Sequence, residues 1–154
     1  MKTVLETQVR LTPADEKTNV VLPFTLTSEA EQLKIIYSYA PKTLEGEAGA
    51  RAAEACLQRD AGEYRAQYPA AETFLPLKNL VTLSLDDPYT YRGAAHRQAD
   101  RQEHILTETA ASPGFLPGKL PAGAWRLVLN VHALVTPFCD CRVQIEVEEA
   151  GGNG

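Results

Sequence analysis

The residues best suited to act on another molecule crowd into one stretch of this chain. Positions 84–97 read SLDDPYTYRGAAHR and bring Asp86, Asp87, Tyr89, Tyr91, Arg92, His96 and Arg97 together around Pro88. Aromatic faces beside planar guanidinium donors suit a sugar ring or a carboxylate, and loops on a rigid scaffold are where binding residues concentrate. Asp87, Tyr89, Tyr91, Arg92, His96 and Arg97 therefore form the candidate ligand-binding set. The same residues also have a mechanical reading, which takes precedence. Asp87 before Pro88 builds an Asx turn, the proline fixes φ, Arg92 closes the turn on Asp87, and Gly93 supplies a positive φ.

Other chemistry is thinner. Asp86 and Asp87 are the weak calcium candidate, short of the roughly six to eight oxygens that calcium takes. Cys139 and Cys141 stand two apart with His132 seven residues earlier. A Cys-x-Cys pair on a strand turns both sulfurs to one face, and that face continues through Val143, Ile145 and Val147. Core packing is thus the expectation, not a zinc site. Cys56 falls on an apolar stripe and reads the same way. A Gly-x-Ser-x-Gly elbow and a glycine-rich phosphate loop are both missing. Ser84 or Ser112 could meet a histidine and an aspartate only by folding, with no local signature for such a triad. No catalytic residue and no cofactor is expected.

The elements that must position these residues are strands. Alternation of apolar and polar residues recurs in seven runs, the mark of half-buried β-structure. Leu5, Val9 and Leu11 share one face, as do Val20, Leu22, Phe24 and Leu26. Leu33, Ile35, Tyr37 and Tyr39 line up in a third run, and Val81, Leu83 and Leu85 in a fourth. A weaker run lies near Ile105. Trp125, Leu127, Leu129 and Val131 alternate with Arg126, Val128, Asn130 and His132, so Trp125 reads as a core anchor. Cys139 to Val147 alternates with Arg142, Gln144, Glu146 and Glu148, one face dry and one wet. The thirteen residues at 111–123, ASPGFLPGKLPAG, hold three prolines and three glycines, and regular structure cannot run through them. Residues 45–68 differ: rich in Ala, Glu, Arg and Gln, with Ala53, Leu57, Ala61, Tyr64 and Tyr68 at steps of three and four, they predict a helical insertion.

With 154 residues, 44% of them hydrophobic, the chain is sized for one domain with a real core. A single β-sandwich domain over 1–149 and a flexible tail at 150–154 are expected. A net charge of −5 makes nucleic acid a poor partner. No apolar run is long enough to span a membrane. The N-terminus lacks a signal-peptide pattern and the cysteine number is odd, which points to the cytoplasm, or to secretion if a leader has been removed.

Several of these residues carry a likeness. Asp87-Pro88 closing a strand, then Arg92-Gly93, then Pro113-Gly114 and Pro117-Gly118 leading to Gly123-Ala124-Trp125, resemble the β-sandwich region ahead of the catalytic domain in metallohydrolases of the polymerase-and-histidinol-phosphatase (PHP) class. The Gly-x-Trp opening is also similar to jelly-roll accessory domains of secreted proteases. The likeness covers roughly residues 20–149 and implies a jelly-roll fold. The catalytic PHP domain needs a His-x-His pair and many further ligands, whereas this chain holds only His96, His104 and His132. The resemblance therefore implies an accessory module and transfers no hydrolase activity.

The expected architecture is all-β, an antiparallel two-sheet sandwich of jelly-roll type with one helical insertion. The expected function is a non-catalytic binding or interaction module serving a PHP-type metal-dependent hydrolase. The alternatives are a carbohydrate-binding module with a loop site near Tyr89, Arg92 and His96, and a small hydrolase without a recognisable motif. Expected partners are a protein, a second copy of the chain, or a small molecule or glycan.

Overall fold

The computed structural model describes residues 1–44, 77–95 and 99–150. The helical insertion expected at 45–68, the tail beyond Ala150, and His96 and Arg97 lie outside the described residues. Among the described residues ten strands run in chain order: β1 (Lys2–Leu11), β2 (Thr18–Leu26), β3 (Ala30–Ala40), β4 (Thr43–Leu44), β5 (Leu77–Lys78), β6 (Leu80–Asp86), β7 (Tyr91–Ala95), β8 (Arg101–Thr107), β9 (Gly123–Ala133) and β10 (Cys139–Glu149). Apart from a 3-10 turn at Pro13–Asp15, no helix occurs among the described residues, and none is long and apolar enough to cross a membrane.

The strands form two antiparallel four-stranded sheets. One, sheet A, is ordered β1-β10-β3-β8, and the other, sheet B, β2-β9-β6-β7. The winding is that of a jelly roll. β1 pairs with β10, β2 with β9, β3 with β8, and β6 with β7, as if one long hairpin had been rolled up. The short pair β4·β5 brackets residues 45–76.

Period-two alternation decides which side chains go inside. Leu33, Ile35, Tyr37 and Tyr39 of β3 and Cys139, Cys141, Val143, Ile145 and Val147 of β10 are buried. They face Trp125, Leu127, Leu129 and Val131 of β9 and Val81, Leu83 and Leu85 of β6 across the core. A register slip of one residue would turn each row into water, so the pairing is strongly specified. Trp125 is fully buried, lies 5.9 Å from the Phe24 ring, and donates its indole N–H to the Pro121 carbonyl at 2.9 Å. The residues that join β8 to β9 leave two strand edges covered. Ala111 and Ser112 pair along β8, and Phe115 and Leu116 along β7.

One strand is read differently in space. The weak run near Ile105 is a strand, but its inward residues are Gln102, His104 and Leu106, while Ile105 is 38% exposed. A histidine and a glutamine occupy core positions because each is satisfied there. His104 Nε2 and Gln102 Oε1 are 2.9 Å apart, and the imidazole packs on Phe115 with centroids 5.0 Å apart.

Candidate functional site

The stretch at 84–95 runs from the end of β6 through a turn into β7. Asp87 organises the turn: its Oδ1 accepts the backbone N–H groups of Tyr89 at 2.6 Å and Thr90 at 2.7 Å, and its own N–H donates to the Thr90 carbonyl at 2.9 Å. Its Oδ2 accepts Arg92 Nη1 at 3.1 Å, with both side chains shielded, 4% and 6% exposed. The guanidinium goes further. Nε and Nη2 donate to the Leu116 carbonyl, Nη2 also to Gly118, and Nη1 also to Lys119, at 2.8–3.1 Å. Every one of its five N–H donors is thus used, and the group sits 5.7 Å from the Trp125 ring.

Arg92 therefore pins the proline- and glycine-rich connection to β7. Gly93 and Gly114 make the approach close enough. Their φ values are +107° and +93°; a Cβ on Gly93 would run into the Gly114 carbonyl, and one on Gly114 into the Ala94 carbonyl. Only glycine takes such backbone without strain. Of the other candidates, Tyr89 and Tyr91 are 82% and 52% exposed, and Asp86 is bound to Arg126 at 2.9 Å. The two carboxylates of the calcium candidate thus face two different arginines. Among the described residues, no group of three or more His, Cys, Asp or Glu is arranged to hold a metal.

The Cys-x-Cys pair and His132 point to different places. Cys139 and Cys141 are buried in the core of sheet A, whereas His132 is outward on sheet B, 2.8 Å from Thr82 Oγ1. The Cys141 thiol is pushed up by its hydrogen bond with Cys139 and by burial, which keeps it protonated. Burial raises Tyr37 far above the ordinary phenol range and Tyr39 to about 12. These groups are core packing.

A second polar region lies on the outward face of sheet A. The register places Gln8, Arg142, Ser38 and Arg101 in one row across β1, β10, β3 and β8. The next row holds Glu6, Gln144, Ile36 and Glu103. Three adjoining hollows of about 520, 560 and 400 Å³ follow these rows, and Ser38 lines all three. Together they make a shallow trough across the sheet.

Most charges around the trough are spent. Arg10 holds both oxygens of Asp140, Nε at 2.8 Å and Nη2 at 3.0 Å, and stacks on Phe138 at 4.2 Å. That pairing holds the Asp140 carboxyl below the ordinary carboxylate range, with a smaller contribution from Arg142. Lys34 pairs with Glu103 at 2.9 Å, and Gln144 donates to Glu146 at 2.7 Å. Arg101 and Arg142 are the contrast: both are exposed, and neither guanidinium makes a hydrogen bond or a salt bridge among the described residues, Arg142 acting on Asp140 only through space.

Sequence reasoning passed over Gln8, Ser38, Arg101 and Arg142. The signal was present only as outward parity on four separate strands, and nothing in the sequence states which outward residues become neighbours. No family model and no curated protein matches the chain.

Proposed function

We propose that this protein is a non-catalytic binding module whose ligand site is the trough on the outward face of sheet A. One observation supports this above the others. Arg101 and Arg142 flank Ser38 with unused donors in the middle of the hollows, while the donors of Arg92 in the expected loop site are all taken. A binding surface needs donors that water alone occupies before the ligand arrives. The sandwich supplies rigidity, since each trough residue sits on a strand whose opposite face is core. The other titratable groups described here are ion-paired, buried in the core or scattered on the surface, an arrangement that suits recognition better than turnover.

The resemblance to the region ahead of PHP catalytic domains supports an accessory role, in which the module holds a substrate for a hydrolase on another chain. Two measurements test the reading. On a glycan array the wild-type protein should retain a ligand that the doubly substituted R101Q/R142Q protein does not. The module alone should show no turnover of that ligand. Equal retention by both proteins would remove the trough from the account, and turnover by the module alone would remove the non-catalytic reading.

A further inference from the structure

Resting on the trough as the binding site, we infer that its ligand is an acidic saccharide of the hexuronate type, one carboxylate per ring among hydroxyls. The pattern of charge on the sheet leads there. Arg142 of β10 and Arg101 of β8 stand on either side of Ser38 of β3 in one row, so their Cα atoms are two strand spacings apart, about 10 Å. Both arginines line one hollow with Ser38, and a gap of that size is within the combined reach of two guanidinium side chains. Planar forks of this kind match a planar carboxylate bidentately, which a lysine pair does not. The same hollow is lined by Asp100 and Asp140; Arg10 neutralises Asp140, so Arg101 and Arg142 set against Asp100 leave one positive charge, which suits one oxyanion.

The surrounding row has the opposite character. Two residues further along each strand, on the same face, stand Glu6, Gln144, Ile36 and Glu103. Glu6 offers a carboxylate acceptor, Glu103 only the lone pairs that its bond to Lys34 leaves, and the Gln8 amide at the end of the arginine row offers both a donor and an acceptor. Carboxylate acceptors suit ligand hydroxyls. They repel a chain bearing a carboxylate at every position, as does the net charge of −5. An acidic peptide with closely spaced aspartates or glutamates would set some of its charges against Glu6 and Asp100, which line the hollows. A sugar acid sets one charge between the arginines and presents hydroxyls to the acceptors beside them. The hollows together cross from β1 to β8, about 14 Å over three strand spacings, which gives room for a short oligosaccharide lying across the sheet.

The test is a calorimetric titration of the full chain with trimers of galacturonate and mannuronate. Trimers of galactose and mannose serve as neutral counterparts, and a hexaglutamate peptide as the acidic non-sugar. Binding is expected for at least one uronate trimer, with its neutral counterpart at least about tenfold weaker. The R101Q and R142Q proteins should each lose about tenfold in affinity while melting at the wild-type temperature. Equal binding of neutral and acidic trimers, lost in the same variants, would overturn the hexuronate inference and leave the trough as a saccharide site. Binding of the peptide alone would overturn the inference and leave the module reading in place. Uronate binding indifferent to both substitutions would overturn the inference and the trough together, as would no binding by any of the five probes.

Discussion

Two arginine-centred regions divide this molecule between them, and they differ in one property. At the clasp, Arg92 is buried and its five donors are saturated by Asp87 and three backbone carbonyls. At the trough, Arg101 and Arg142 are exposed with their donors unspent among the described residues. The clasp looks more like a binding site in the sequence, because its polar and aromatic residues are contiguous. The trough looks like an ordinary wet face, because its residues are spread from Gln8 to Arg142. Density of polar residues along the chain is therefore a poor guide to function. What separates a fastener from a site is whether the donors have already found partners.

That contrast can be broken first at its strongest point. Replacing Arg92 by Ala leaves Asp87 buried without its cation and three carbonyls without donors, a loss of about 4 kcal/mol by the cost of breaking buried pairs. For a domain of this size the melting temperature should fall by about 10 °C, with affinity for any trough ligand unchanged at a temperature where the variant stays folded. A melting temperature within about 2 °C of wild type would end the fastener account. The Gly93→Ala protein comes next. It sets a side chain against the Gly114 carbonyl at positive φ, and a loss of about 2 kcal/mol is expected from denaturant unfolding. The trough substitutions R101Q and R142Q sharpen the comparison from the other side. Each should shift stability by less than about 0.5 kcal/mol, as exposed residues without partners do.

The smallest effect concerns acid. Asp140 is held below its ordinary range chiefly by Arg10, so the pair adds stability above the unfolded carboxylate pKa of about 4 and loses it as pH falls through the folded value. In an Arg10→Ala protein that contribution is already missing. Its melting temperature should decline less steeply than wild type as the pH drops below about 4. Parallel declines would mean that the surface pair contributes nothing to acid sensitivity, which is a common result for exposed pairs.

The sandwich was legible because alternation is a direct print of a half-buried sheet. Cys139 to Val147 alternates without a break, and every expected inward residue is buried. The Asp87–Arg92 pair and the anchoring of Trp125 were legible too, since turn chemistry and strand parity are local. The inward face of β8 was not. A glutamine and a histidine stand where apolar residues were sought, and only their mutual bond and Phe115 explain why they are tolerated. The extra bonds of Arg92 were hidden for a related reason: its carbonyl partners are backbone atoms some 24 to 27 residues away, and side-chain identity says nothing about them. The trough was the least legible of all. Its central row exists only through the registers Gln8↔Arg142, Arg142↔Ser38 and Ser38↔Arg101, which are products of the completed winding.

The most direct test of where this protein binds is a residue-resolved one. Amide chemical shifts of isotopically labelled protein, followed during titration with a hexuronate trimer, should move at Ser38, Arg101 and Arg142 and their strand neighbours. The shifts at residues 87–92 should stay still. Movement concentrated at residues 87–92, with Ser38 silent, would contradict the account.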